Sequence, residues 1–270
     1  MKRQRNIFDF RFKLLILAVV VFLVFCFSLG YIWKTLRCQD YFTIKDITVR
    51  GADASGVELS YLKGKNIFSV DLKSESIHLL DFYPGYYRIN LVKVLPNRIF
   101  ADFIKRKATA LVKLYKYFAV DKNGVLFYTP DCWQQAKDPE LPVILGLETK
   151  IFGPKPGKRY DLKELTLALN LLSEAGKNKV LKDYPVKKID VINPANTEIF
   201  ISLPPKTLGY SGTGAITKSE NLQIKIGQDN IEAKVSLLAG LIAQERLNLD
   251  KIKYIDLRFR ESVIKLKDAK

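Results

Sequence analysis

Residues Leu14–Trp33, LLILAVVVFLVFCFSLGYIW, are twenty consecutive positions without a charged side chain. No other stretch limits the fate of the chain so strongly. A helix rises about 1.5 Å per residue, so the run covers roughly 30 Å, the thickness of a bilayer's hydrocarbon core. Tyr31 and Trp33 stand at its far end, where interfacial aromatics belong. A cleaved secretory signal would carry a shorter apolar stretch, about 7–15 residues, ending at small side chains. Here the end is bulky, and Cys26 follows Leu-Val-Phe, a poor setting for a lipoprotein cysteine. The run is therefore expected to be an uncleaved anchor. Lys2, Arg3, Arg5, Arg11 and Lys13 precede it against Asp9, while only Lys34 and Arg37 follow closely. That bias places residues 1–13 in the cytoplasm as a short tail. The rest of the chain then lies beyond the cytoplasmic membrane, in periplasm or cell-wall space.

The 270 residues, 48% apolar and 27% charged, suit one or two folded domains of ordinary size. A formal net charge of +16 raises nucleic acid, anionic lipid and acidic polymers as partners. Beyond the N-terminal segment, however, the basic residues are scattered. There is no Arg-rich block, no Lys/Arg stripe interleaved with aromatics, no zinc-finger spacing and no RNA-binding motif. A solvated basic surface, with no nucleic-acid partner, is the expectation. Cys26 lies inside the apolar run and behaves there as a small hydrophobe. Cys38 and Cys132 could pair in an oxidising compartment, and their separation leaves that open. No CxxC or Cys/His cluster suggests a metal. Cys132 as a nucleophile would need a base, and His78, the only histidine, reads as a helix residue.

After the span, Tyr41–Gly51 alternates through Phe42, Ile44, Ile47 and Val49 and reads as a strand. Val57, Leu59 and Leu62 suggest a short helix closed by Gly64. Val70, Leu72, Ile77 and Leu80 suggest a second, with Ser69 as its N-cap. Pro84-Gly85 breaks the chain, and strands follow on either side of Pro96-Asn97, with Val92 and Val94 before it and Ile99, Ala101 and Phe103 after it. The order β-α-α-β-β makes a small sheet with two helices on one face.

A second module continues with strands at Leu111–Leu114, Tyr117–Val120 and Val125–Phe127, the last two joined by the turn Asp121-Lys-Asn-Gly124. An EF-hand would need more carboxylates at fixed spacing. Leu141–Gly146, LPVILG, follows a polar loop. Residues 161–176 form an amphipathic helix with Leu162, Leu165, Leu169 and Leu172 on one face and Gly176 at its end. Strands are expected around Ile189–Ile192, Glu198–Leu203 and Leu222–Ile226. Another helix runs over residues 229–246, with Ile231, Val235, Leu238 and Ile242 on one face. Gly209–Gly214, GYSGTG, lacks the Lys-Ser/Thr of a phosphate loop and reads as a surface turn. Ile255, Leu257 and Phe259 alternate with polar neighbours, and Val263–Leu266 forms a last strand expected at an open sheet edge, guarded by Lys265 and Lys267.

These motifs in this order resemble one family. The β-α-α-β-β module resembles a POTRA domain. Several elements together are similar to the FtsQ/DivIB bacterial division proteins: the strand ending on Gly51, Gly64-Lys-Asn-Ile-Phe-Ser-Val-Asp71, Val94-Leu-Pro96, Lys105-Arg106-Lys-Ala108, Val120-Asp121-Lys-Asn-Gly124, LPVILG and Tyr254–Phe259 (YIDLRF). Lys105 and Thr109 depart from the family's usual Glu and Val. The resemblance implies an α+β chain: a single N-terminal transmembrane helix (14–33), a POTRA domain (41–107) and a larger mixed β domain with flanking helices (108–267).

The same resemblance implies a non-enzymatic scaffold at the division septum without cofactor or metal. It would bind FtsB-like and FtsL-like single-pass proteins and bear on the septal peptidoglycan synthases. The binding mode implied is strand addition at Ser262, Val263, Ile264, Lys265 and Leu266, with Arg258 taking a partner carboxylate and Phe259 an apolar contact, or else Phe259 in the core. Val263→Pro is expected to remove an edge donor. The alternatives are a POTRA-bearing outer-membrane translocation component, which would normally bring more POTRA repeats and a barrel, or a membrane-anchored wall enzyme, for which no paired carboxylates or nucleophile–base motif is found.

Overall fold

The computed structural model describes residues 2–38, 40–51, 57–128, 141–204, 206–211, 214–218, 220–244 and 248–267. Cys132 lies outside them, and with it the question of a Cys38–Cys132 bond. The chain divides into two compact units. The first comprises Met1–Phe82 and Tyr86–Lys105, the second Tyr83–Gly85 and Arg106–Lys270.

The first unit opens with α1 (Lys2–Cys38), which is longer than the apolar run because nothing in the basic tail breaks a helix. Within it, Phe12–Thr35 is long and apolar enough to cross a membrane, and its side chains are exposed. A 3-10 turn, Asp40–Phe42, leads to β1 (Asp46–Arg50), so the expected strand from Tyr41 is shortened at its start. β2 (Tyr86–Val94) and β3 (Arg98–Lys105) flank a turn with a cis Leu95–Pro96 bond. The sheet order is β1-β3-β2, with β1 parallel and β2 antiparallel to β3.

The first expected helix is only the 3-10 turn Ser60–Leu62; its apolar residues are too few to support two helical turns, and Gly64 turns the chain at φ +82°. The second helix is α2 (Leu72–Phe82). Its cap is Asp71, not Ser69: the Asp71 carboxylate accepts the Lys73 N–H at 3.0 Å, while the Ser69 hydroxyl donates back to the Asn66 carbonyl. Ile44, Leu62, Ile67, Leu79, Ile89, Ile99, Ala101 and Phe103 are buried in this unit. Gly51 closes β1 at φ +76°, where a Cβ would stand 2.1 Å from the Phe103 carbonyl oxygen, so no other residue fits.

The second unit is built on a nine-stranded mixed sheet in the order β14-β13-β12-β9-β8-β7-β4-β5-β6. Its strands are β4 (Ala110–Lys113), β5 (Tyr117–Val120), β6 (Leu126–Phe127), β7 (Val143–Leu145), β8 (Val186–Asp190), β9 (Glu198–Ser202), β12 (Asn221–Lys225), β13 (Ile252–Asp256) and β14 (Val263–Leu266). A separate hairpin, β10 (Lys206–Ser211) with β11 (Gly214–Lys218), stands where GYSGTG read as a turn alone; small residues obscured the alternation, and the tip at 212–213 lies outside the described residues.

One sheet face carries α3 (Lys163–Lys177) and α4 (Ile231–Ile242), sealed by Val112, Val120, Ile144, Ile189, Ile201, Ile224 and Ile255. In α3 the buried arc is Leu165, Leu167, Ala168, Leu171 and Ala175, while Leu162, Leu169 and Leu172 only border it. The alanines, silent in a leucine count, are buried in that arc. The helix also runs through Gly176, which takes no left-handed conformation, to Lys177. α4 buries Val235, Leu238 and Ile242 as expected, with Ile231 at its margin.

Candidate functional site: the open edge of the large sheet

A sheet of nine strands has two edges, and this one treats them differently. Beyond β6, the chain folds back: Leu126 N–H donates to the Lys158 carbonyl at 3.2 Å, Gly157 N–H to the Leu126 carbonyl at 2.7 Å, and Val125 bridges Arg159. That edge is covered. At the other end, β14 pairs with β13 alone and has no second neighbour among the described residues.

The ladder fixes which backbone groups of β14 face outward. Leu257 N–H donates to Lys225 of β12 at 2.8 Å, so Asp256 and Tyr254 turn their polar groups toward β14, where they oppose Val263 and Lys265. Lys267 N–H donates inward to the Lys251 carbonyl at 2.8 Å. In an antiparallel strand both polar groups of a residue point to one side, and the side alternates. Val263, Lys265 and Lys267 therefore bond inward, and Ile264 and Leu266 present N–H and C=O to the open edge. The expectation for Val263→Pro is corrected accordingly: proline at 263 strikes the β13–β14 ladder, and the outward donors are at 264 and 266. A register shift between Ile252 and Tyr254 puts one extra β13 residue opposite β14 and twists the edge.

The side chains sort equally clearly. Ile264 packs against the core, while Val263 and Leu266 are 50% and 61% exposed, and Lys265 is exposed. Ser262 is half-buried. Phe259 is 65% exposed, which removes the core alternative; β13 ends at Asp256, so the alternation that buries Ile255 and Leu257 does not reach it.

Arg258 is corrected too. Its Nε lies 2.9 Å and its Nη2 2.6 Å from the Asp256 carboxylate, and its Nη1 donates to Asn196 Oδ1 at 2.5 Å. The Nε–Nη2 side, one of the two that could grip an incoming carboxylate bidentately, is already filled by Asp256. Asp256 also accepts the Arg258 backbone N–H at 3.1 Å. The Asp-Leu-Arg sequence thus builds its own turn: the carboxylate folds back on the residue two ahead, Leu257 plugs the core, and the guanidinium ties the strand end to the 194–196 turn. The guanidinium holds the Asp256 carboxyl below the ordinary carboxylate range, against the opposing effect of burial, and the carboxylate raises Arg258 in return. Sequence reasoning missed Asp256, although an acid two residues before an arginine at a strand end is the signal for such a turn.

The other motifs prove equally architectural. Asp121 Oδ1 accepts the N–H groups of Asn123 and Val125 at 2.9 and 3.0 Å, Gly124 turns at φ +77°, and Asp121 Oδ2 holds Arg106 Nη1 at 2.5 Å in a buried pair. Gly146, at φ +91°, passes so close to Ile192 that a Cβ would lie 2.4 Å from its nitrogen. No group of three or more His, Cys, Asp or Glu poised for a metal occurs among the described residues.

A family model described as cell division protein FtsQ/DivIB, C-terminal, matches residues 110–258, from the start of β4 to Arg258. The chain belongs to the FtsQ/DivIB family. Two proteins named cell division protein FtsQ align with it. The one from Geotalea daltonii is 23% identical over 78% of this chain and 68% of its own length. The one from Syntrophotalea carbinolica is 22% identical over 93% of this chain and 81% of its own. The division family and the mixed α/β architecture agree with the sequence resemblance, and the apolar α1 suits a membrane anchor in an FtsQ-type protein.

Proposed function

We propose that this FtsQ-family protein is a non-enzymatic, single-pass scaffold of the division septum. Residues 1–13 lie in the cytoplasm, 14–33 span the cytoplasmic membrane, 41–107 form a POTRA domain, and 108–267 form the partner-binding β domain. FtsB-like and FtsL-like proteins are the partners, and through them the scaffold bears on the septal peptidoglycan synthases. The observation that carries this reading is the asymmetry of the large sheet: one edge is covered by residues 157–159, and β14 has no second neighbour among the described residues. Strand addition uses that kind of edge, with backbone groups for affinity and alternate side chains for selectivity. Ile264 and Leu266 supply the backbone contacts, Val263, Lys265 and Leu266 the exposed side chains, Phe259 an adjoining apolar contact, and Ser262 the start of the paired segment. Arg258 holds the turn that presents them.

Amide hydrogen exchange of the extracytoplasmic portion, with and without the soluble part of an FtsB-like partner, tests the reading. Binding should slow exchange at Ile264 and Leu266. Protection confined to other strands would remove β14 from the interface.

A further inference from the structure

The helix–domain junction carries a second surface, distinct from β14. Trp33 lies near the end of the apolar stretch Phe12–Thr35 and is 52% exposed. Its ring stands 6.0 Å from that of Phe68, which lies 5.1 Å from Phe42, which in turn meets Tyr41 edge-on at 5.3 Å. The turn bearing Phe68 is pinned to the segment leaving the helix. Gly64 N–H donates to the Ile44 carbonyl, Ile44 N–H to Lys65, and Ile67 N–H to Phe42, while Thr43 bridges Asn66. Asn66 Oδ1 holds the Phe68 N–H at 2.9 Å. The turn's outer side is open: Lys63, Gly64 and Lys65 are exposed, and a Cβ on Gly64 would meet nothing.

A tryptophan at the end of a span sits at headgroup level. Phe68, in ring contact with it, shares that depth. Both charged side chains of the turn itself are lysines, Lys63 and Lys65; Lys34 and Lys45 flank it in sequence against Asp40, and the neighbouring acids are engaged, Asp46 with Arg98 at 3.5 Å, Glu75 with Tyr61, Glu58 with Ser60, and Asp71 as the cap of α2. Aromatic rings flanked by lysines suit an interface with acyl carbon on one side and phosphate on the other.

We infer that the turn Lys63–Ser69 docks on anionic phospholipid headgroups of the bilayer that α1 spans, with Phe68 at the headgroup boundary and Lys63 and Lys65 on the phosphates. The inference rests on α1 being the anchor. It gives the membrane-proximal unit a lipid contact of its own, independent of any protein partner.

The test uses the full chain with its native cysteines replaced, in nanodiscs of mixed phosphatidylcholine and phosphatidylglycerol. A nitroxide is placed at Ser69→Cys or, separately, at Val24→Cys, and depth is read from its relative accessibility to oxygen and to a polar nickel reagent. Val24 should report the bilayer core and Ser69 the headgroup region. Lys63→Glu with Lys65→Glu should move the Ser69 label toward water, by about fivefold in the docked-to-free ratio for each lysine. A core reading at Val24 with a fully aqueous Ser69 overturns docking and leaves the anchor intact. An aqueous Val24 overturns the anchor and docking together. An unchanged Ser69 depth in the charge-reversed protein overturns the assignment to anionic headgroups.

Discussion

Asp256 decides more than its size suggests. It is 5% exposed and joined to Arg258 by three side-chain contacts and one backbone contact. Asp256→Asn keeps the shape but strands a partly buried guanidinium, which should cost about 2–4 kcal/mol, read from urea melts of the extracytoplasmic portion. Because Arg258 lowers the carboxyl's pKa in the folded state, its contribution is complete above the ordinary value near 3.8 and is lost as pH falls through the lowered one. The stability gap between wild type and Asp256→Asn should therefore be flat at neutral pH and close only below that value. A gap that already narrows at neutral pH would rule out this linkage. Gly146→Ala should cost about 2–4 kcal/mol by the same melts, since the added Cβ meets the Ile192 backbone at a φ that disfavours side chains. YIDLRF and LPVILG were legible as motifs in the sequence, but their work was not. A sequence displays that an aspartate precedes an arginine by two; only the fold displays that they face each other and that the Nε–Nη2 side of the guanidinium is taken.

Elements with a strong period were plain beforehand. α4 announces itself through Val235, Leu238 and Ile242, and β13 through Ile255 and, just past its end, Leu257, because each buries one repeated face. Elements whose cohesion comes from elsewhere were not. The hairpin of β10 and β11 has glycines at 209 and 214 in place of an alternating apolar face, and the segment Val57–Leu62 is held by tertiary burial of Leu59 and Leu62 without forming a true helix. β14 falls between: its position at an edge could be expected, whereas the direction of each N–H required the register. That direction separates two substitutions one would otherwise treat alike. Leu266→Pro removes an outward donor from an exposed position, so it should leave the melting temperature nearly unchanged and weaken calorimetrically measured partner binding about tenfold, or ~1.4 kcal/mol. Val263→Pro removes an inward bond to β13 and should lower the melting temperature of the unliganded domain, a loss of about 1 kcal/mol. The opposite pattern would mean that the edge is read from the wrong side.

At the scale of the whole chain, the second unit is not continuous in sequence. Tyr83–Gly85, between α2 and β2, belongs to it: Arg106 N–H donates to the Gly85 carbonyl at 2.8 Å, Arg106 Nε reaches the Pro84 carbonyl, and Gly157 abuts the Pro84 ring. A fragment beginning at Arg106 should therefore unfold at lower denaturant than the same unit in a fragment beginning at Asp40, by about 1–2 kcal/mol in urea melts followed by circular dichroism. Equal midpoints would mean that the short insert contributes nothing. No periodicity could reveal this, because three residues carry no period. The sequence places the change of module at 107–108, whereas the compact units divide the chain at Lys105 and Arg106 and also around Tyr83–Gly85, so the chain passes between them more than once. The open strand has a mechanical consequence as well. Bonds across an antiparallel pair run perpendicular to its strands. A segment added to β14 would load all its bonds together when tugged along its length, and surrender them singly when peeled from one end. If the proposed partner binds there, one and the same joint would hold firm under tension and still come apart for disassembly.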